Sequence, residues 1–130
     1  MYLYAARLAA VIDGDTIDFD IDLGFGIWTR QRIRLAGLNC PEHGAPDGAS
    51  ATAFTSDWLA QHASELVIRT RKDHREKYGR MLGVVLAGVA NLNAELVASG
   101  HAVPYDGGRR SITAGHSGTQ GFTGFVADTV

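Results

Sequence analysis

The sequence TIDFDIDLGFGIWTRQRIRLA, residues 16–36, decides the fold class, because most of it alternates apolar and polar residues with the period of a β-strand. Ile17, Phe19 and Ile21 fall on one face, and aspartates fall on the other. The glycine-rich stretch LGFG interrupts the alternation, and residues 27–36 form the next predicted strand. The stretch therefore predicts two half-buried strands on either side of a glycine-rich loop.

Segments with strand and helix signals lie on both sides of this stretch. One of them places apolar residues at helical spacing behind a possible Ser50 N-cap, and another predicts a short helix with Gly100 as its C-terminal stop. The other predicted strands are 2–12, 65–71 and 80–89, and the predicted helices are 50–62 and 91–100. Five strands with a helix before the fourth favour a mainly β domain with α (α+β), a small closed or partly open barrel of the oligonucleotide-binding (OB) type.

Composition limits the function classes. The chain has 130 residues, 45% hydrophobic and 20% charged, which suits one domain with a sizeable core. The formal net charge of −2 excludes the broad basic field of a non-specific nucleic-acid binder, so an anionic partner must meet local charge or a bound cation. The single Cys40 excludes an internal disulfide and a cysteine zinc cage.

The two ends of the chain differ in character. The N-terminal stretch MYLYAARLAAV lacks a basic n-region, so it predicts a strand rather than a signal peptide. We therefore expect a cytoplasmic protein, with export by another route left open. Residues 1–105 are predicted to form the domain, and the Gly-, Ser- and Thr-rich residues 106–130 a flexible tail.

Four charged residues near predicted turns could carry chemistry: Asp15, Arg34, Glu42 and Arg80. Each has a plain structural alternative, such as an aspartate that only makes an Asp-Gly turn or an arginine that lies along a strand edge. Together, however, two guanidinium groups, a metal-binding carboxylate and a free carboxylate base are the minimal equipment for cutting a phosphodiester. The cation would also supply the positive charge that the composition lacks.

Four motifs resemble those of the staphylococcal nuclease (thermonuclease) family, in that family's order and at close to its spacing. They are VIDGDTI, IRLAGLNCPE, EKYGRMLGVVL and LNAELVASGHA, and the match covers about residues 5–105. The resemblance implies a five-stranded OB-fold-type β-barrel with two or three flanking helices. It also implies calcium-dependent hydrolysis of DNA and RNA to products with a 3′-phosphate and a free 5′-hydroxyl.

The resemblance also implies roles for individual residues. Asp15 matches the calcium-binding aspartate, Glu42 the catalytic glutamate usually assigned as general base, and Arg34 and Arg80 the two catalytic arginines. Residues that match substrate-binding positions beside the nucleotide are Lys77, Tyr78 and Tyr105.

The sequence departs from the family pattern at the predicted metal site and in the tail. Asn39 stands where the family has a second calcium-binding aspartate, and Cys40 stands where a neighbour provides a backbone carbonyl. The loss of a ligand charge predicts weaker calcium affinity. The tail lacks the charged third helix of the best-known member.

Two other classes of function stay open beside the nuclease. One is a catalytically inactive OB-fold module that binds nucleic acid or protein, and the other is a purely structural domain. For the nuclease we expect single-stranded or denatured DNA and RNA as substrate, no membrane partner and a monomer. The scattered histidines, among them His43, do not support zinc chemistry.

Overall fold

A computed structural model describes residues 2–42, 44–75 and 81–105, with the backbone alone for 71–75. In chain order the elements are β1 (Tyr2–Asp13), β2 (Thr16–Asp22), β3 (Trp28–Leu35), β4 (Leu38–Asn39), α1 (Gly48–Gln61), β5 (Leu66–Arg75), β6 (Met81–Ala87), β7 (Ala90–Asn91), α2 (Leu92–Ala98) and β8 (Val103–Pro104). The predicted flexible tail, residues 106–130, lies outside the described residues.

Five of these strands close into a barrel. The sheet order is β3-β2-β1-β5-β6-β7, and the neighbouring strands in it are antiparallel. A parallel pairing of β3 with β6, through Ile33 opposite Met81 and Leu35 opposite Gly83, joins the two ends of the five-stranded sheet. The predicted OB-type α+β barrel is confirmed, with two helices in the described part of the chain.

The interior of the barrel is filled by the alternating apolar residues of its strands. Ile17, Phe19, Ile33 and Leu35 are all at most 2% exposed, whereas the aspartates and arginines between them on β2 and β3 point outward. Burial of such side chains supplies most of the free energy that favours folding. The period-two prediction for residues 16–36 is therefore confirmed.

The first helix begins earlier than the sequence indicated. Its N-cap is Asp47, which makes no side-chain capping hydrogen bond, so the prediction of Ser50 as the N-cap is wrong. The chain enters α1 through successive turns, with the Ala45 amide bonded to the Glu42 carbonyl and the Gly48 amide bonded to the Ala45 carbonyl. These turns bring the backbone into helical form before Ser50.

A buried asparagine side chain on the second helix forms hydrogen bonds with the barrel. Asn93 accepts a hydrogen bond from the Val85 amide (3.0 Å) and donates to the carbonyls of Ala36 (3.0 Å) and Gly83 (3.2 Å). These bonds link α2 to β6 and to the end of β3, where the predicted site lies. As predicted, the helix stops just before Gly100, which has φ of +86°.

Strand lengths differ in places from the prediction. The fourth barrel strand, β5, continues to Arg75 and includes residues that the sequence assigned to a charged loop. The strands β4, β7 and β8 have two residues each, too few for a periodic signal.

Neither described helix is long and apolar enough to cross a bilayer.

Candidate active site at the β1–β2 turn

Asp15 lies in the turn between β1 and β2 and is only 8% exposed. Its Oδ2 accepts a hydrogen bond from the Cys40 amide (2.8 Å), and its Oδ1 accepts one from the Thr16 hydroxyl (3.2 Å). Its carbonyl oxygen accepts from the Leu35 amide (2.9 Å). A buried carboxylate needs such donors, and here they fix its position against the end of β3.

The same turn is also held by α1. Thr55, fully buried, donates a hydrogen bond from its hydroxyl to the Gly14 carbonyl oxygen (2.7 Å). A Cβ atom at Gly14 would lie 2.9 Å from the Ala51 Cβ and 3.0 Å from the Cys40 Sγ. The turn therefore requires glycine at position 14 because α1 and Cys40 pack directly against it.

Arg34 places its guanidinium between the turn and β4. Its Nη1 donates to the Leu35 carbonyl oxygen (2.8 Å), its Nη2 donates to the Asn39 Oδ1, and Nη2 lies 3.6 Å from the Asp15 Oδ2. The side chains of Arg34 and Asp15 are only 12% and 11% exposed. An ion pair this shielded from solvent is screened less by salt than a surface pair.

Asn39 and Cys40 reach the site because β4 pairs with β8. Asn39 lies opposite Val103, and Leu38 lies opposite Pro104. The Tyr105 amide donates to the Gly37 carbonyl oxygen (2.9 Å), so the backbone of Tyr105 adjoins the same segment. The short β4–β8 pair thus brings residues from the end of the described chain to the side of Asp15 and Arg34.

Cys40 contributes its backbone rather than its thiol. Burial, followed by the negative charge of Asp15, raises the pKa of the Cys40 thiol to about 12. At neutral pH the thiol therefore stays protonated and is a poor nucleophile and a poor metal ligand.

Glu42 follows this segment in an exposed loop. Its carbonyl oxygen accepts from the Ala45 amide, which sets the turn. Within the described residues its carboxylate makes no hydrogen bond or ion pair. A carboxylate in this state can accept a proton from water. The predicted residues Arg80, Lys77, Tyr78 and His43 lie outside the described residues.

The comparisons with known proteins point to one family. A family model described as "Staphylococcal nuclease homologue" matches residues 32–116, more than half of the chain. The chain belongs to the staphylococcal nuclease family.

Three relatives of this staphylococcal nuclease-family chain were identified. The micrococcal nuclease of Shigella flexneri is 29% identical over 113 residues, covering 78% of this chain and 59% of the relative. The thermonuclease of Staphylococcus intermedius is 34% identical over 98 residues, covering 71% of this chain and 54% of the relative. The thermonuclease of Staphylococcus hyicus is 33% identical over 104 residues, covering 74% of this chain and 56% of the relative. The chain thus spans somewhat over half the length of these relatives.

The donor atoms at this staphylococcal nuclease-family site suit a hard cation, although few of them are charged. Asp15 offers a carboxylate, Asn39 an amide oxygen and Cys40 a backbone carbonyl, and calcium prefers oxygen ligands. Among the described residues, no group of three or more His, Cys, Asp and Glu side chains could hold a metal. If this set held calcium, it would do so with a single ligand charge, because Asn39 is neutral and already bonded to Arg34.

Sequence reasoning did not identify the residues that hold the site together. Thr55 and Ala51 were assigned only to a helix, and Gly14 only to a turn. Nothing in the local pattern indicates that Thr55 meets Gly14, which is 41 positions away in the sequence. The only sequence signal for this contact was the glycine of the Asp-Gly-Asp turn, because a glycine allows another segment to pack closely against the backbone.

Proposed function

We propose that the chain is a calcium-dependent nuclease that hydrolyses phosphodiester bonds of single-stranded or denatured DNA and RNA. The products would carry a 3′-phosphate and a free 5′-hydroxyl. In this reaction water attacks phosphorus, the bond to the 5′-oxygen breaks, and the leaving oxygen takes up a proton.

One observation carries the proposal. Asp15, Arg34 and Asn39 come from three different elements and meet within hydrogen-bond or ion-pair distance beside the segment that leads to Glu42. Buried guanidinium and carboxylate groups are costly to place in a protein, so a purely structural domain would gain little from this cluster.

Arg34 is suited to stabilise the charge that develops on the phosphate oxygens. A guanidinium has five N–H donors, and within the described residues the Leu35 carbonyl and Asn39 occupy two of them. The donors that face none of Leu35, Asn39 and Asp15 can bind phosphate without reorganisation, because the group is already held in place. Arg80 would supply the second guanidinium.

Glu42 would act as the general base. Its exposed carboxylate can take a proton from the attacking water, and the turn at Ala45 fixes the backbone that carries it. Asp15, Asn39 and the Cys40 carbonyl would hold calcium, which when bound neutralises negative charge on the phosphate.

The test is hydrolysis of heat-denatured DNA by the purified chain, in calcium and in chelator, beside Glu42→Gln and the matched control Glu65→Gln at another exposed acid. We expect calcium-dependent cutting that falls by about 10²-fold or more in Glu42→Gln and is unchanged in Glu65→Gln. Equal activity of the two variants would remove Glu42 from the mechanism.

The neutral Asn39 favours a second candidate, an inactive OB-fold module that binds nucleic acid. A folded chain that binds single strands but cuts nothing at millimolar calcium would support this alternative. Restoration of cutting by Asn39→Asp would then identify the missing charge as the cause.

A further inference from the structure

The outer face of β1, β2 and β3 carries a row of arginines that stand farther into solvent than their acidic partners. Arg30 pairs with Asp20 (2.5 Å), and their side chains are 63% and 35% exposed. Arg32 pairs with Asp18 (2.7 Å), and theirs are 50% and 17% exposed. The carboxylates therefore orient the guanidinium groups from below and leave them accessible. We call Arg7, Arg30 and Arg32 the arginine face.

The loop between β2 and β3 presents apolar side chains at one end of this face. Phe25 is fully exposed, and Leu23, Ile27 and Trp28 are 47%, 54% and 40% exposed. The loop is nevertheless ordered by hydrogen bonds, from the Leu23 amide to the Ile27 carbonyl (2.9 Å) and from the Gly24 amide to the Asp22 carboxylate (2.8 Å). The ordered backbone of the loop therefore keeps the Phe25 side chain exposed to solvent.

Phe25 also has an unfavourable backbone. It has φ of +57° and is the one non-glycine residue in the described chain with positive φ. That conformation disfavours a residue with a bulky side chain. A strained, fully exposed aromatic side chain buries no apolar surface in the fold and is free to contact a partner.

The arginine face and the loop are continuous with the candidate active site. Thr16 lies opposite Arg34 at the site end of the β2–β3 pair, and Asp22 lies opposite Trp28 at the loop end. Six residue steps separate these ends, about 20 Å of strand. Arg7 lies over the Trp28 ring, 4.1 Å from its centroid, and adds a cation beside the loop.

We propose that the arginine face and Phe25 bind a single-stranded polynucleotide that extends from the candidate active site along the β2–β3 hairpin. The guanidinium groups of Arg30 and Arg32 contact phosphates, and a base stacks on Phe25. Single-strand sites combine a cationic track with aromatic side chains in this way.

This inference rests on the proposed function only for the choice of substrate; the binding itself requires no cleavage. It is measured with the full chain in chelator, by fluorescence anisotropy of labelled oligodeoxythymidylates of 3 and 12 nucleotides. The variants are Phe25→Ala, Arg30→Gln and Asp20→Asn. The matched control is Val89→Ala, a second fully exposed apolar side chain in a turn.

We expect Phe25→Ala to weaken binding of the 12-mer by about tenfold and to leave the 3-mer unchanged, while Val89→Ala changes neither. Arg30→Gln should weaken 12-mer binding and lower the slope of log K against log salt by about 0.7. The Asp20→Asn variant tests whether Arg30 contacts phosphate itself or matters only through its ion pair with Asp20. Binding should hold or strengthen if Arg30 contacts phosphate, and binding weakened as much as in Arg30→Gln would overturn that contact.

The inference fails if Phe25→Ala binds the 12-mer like the wild type. It also fails if Phe25→Ala loses binding only to phosphatidylcholine–phosphatidylglycerol vesicles, since the loop would then be a membrane contact. Cutting of denatured DNA with unaltered binding in these variants would leave the nuclease proposal standing without this surface. Binding that depends on Phe25 and Arg30, without any cutting of DNA, would support this binding surface and contradict the nuclease proposal.

Discussion

The Thr55 hydroxyl donates a hydrogen bond of 2.7 Å to the Gly14 carbonyl oxygen, which joins the middle of α1 to the turn that carries Asp15. Both residues are buried, and the Cys40 amide donates a hydrogen bond to the Asp15 carboxylate in the same turn. The position of Asp15 therefore depends on a helix that contributes no charged group to the site.

Thr55→Val removes this hydrogen bond while keeping the size of the side chain. We expect a loss of about 1–3 kcal/mol in the free energy of unfolding, because the buried Gly14 carbonyl is left without its donor. Calcium affinity should fall as well, since Asp15 is less well positioned. Urea denaturation and calcium titration calorimetry measure the two effects. Thr55→Ser keeps the hydroxyl and should recover calcium affinity; if Thr55→Val binds calcium like the wild type, the helix has no positioning role.

Gly14→Ala should destabilise the protein by overpacking. The added Cβ would lie 2.9 Å from the Ala51 Cβ and 3.1 Å from the backbone carbon of Ala51, and the backbone cannot move away freely. We expect a loss of about 1–3 kcal/mol in urea denaturation. Gly44→Ala is the control, because a Cβ there meets nothing within 4 Å. Equal stability of the two variants would contradict close packing of α1 on the turn.

Asn39→Asp should strengthen calcium binding by adding a ligand charge beside Asp15. We expect a gain of about tenfold or more in affinity by calorimetry. Asn91→Asp, at the N-cap of α2, is the control and should leave calcium affinity unchanged. An unaltered affinity in Asn39→Asp would place the ion elsewhere.

The raised pKa of Cys40 predicts a loss of stability in alkaline solution. The thiol has a pKa of about 12 in the folded protein, against a usual value of 9.0. The unfolded chain therefore loses its proton first as the pH rises, and the stabilising contribution, complete below pH 9, declines toward pH 12. Denaturation curves of wild type and Cys40→Ala between pH 8 and pH 11 isolate this effect from other titrating groups. A constant stability difference across that range would contradict the shifted pKa.

Much of the barrel follows from local sequence pattern. The alternation of Ile17, Phe19 and Ile21 with aspartates predicted β2, and Gly100 marked the end of α2. The start of α1 was misassigned to Ser50, since the turns through Ala45 and Gly48 are set by backbone hydrogen bonds that leave no side-chain signature. The two-residue strands escaped detection because they exist only through pairing with distant partners, as Leu38 does with Pro104.

The candidate site was predicted in part. Asp15, Arg34 and Glu42 were singled out by their charge near predicted turns and given family roles by motif resemblance, and the structure brings Asp15, Arg34 and Asn39 together. It adds that Arg34 is already bonded to Asn39, a contact that no spacing rule indicates. Tyr105 was assigned from the resemblance, and its backbone contact with Gly37 puts it beside this segment. Its role in substrate binding stays a prediction.

The sequence by itself determined the five longer strands and the two helices to within a few residues, because the period of apolar residues depends only on near neighbours along the chain. It also determined that the β1–β2 turn could be tight, through Gly14. Only the tertiary structure decided that Thr55 holds this turn, that Cys40 binds Asp15 through its amide, and that Arg30 stands above Asp20 in solvent. The Arg30–Asp20 contact depends on the register of β2 against β3, and the contacts of Thr55 and Cys40 depend on packing that joins residues 25 or more positions apart in the chain.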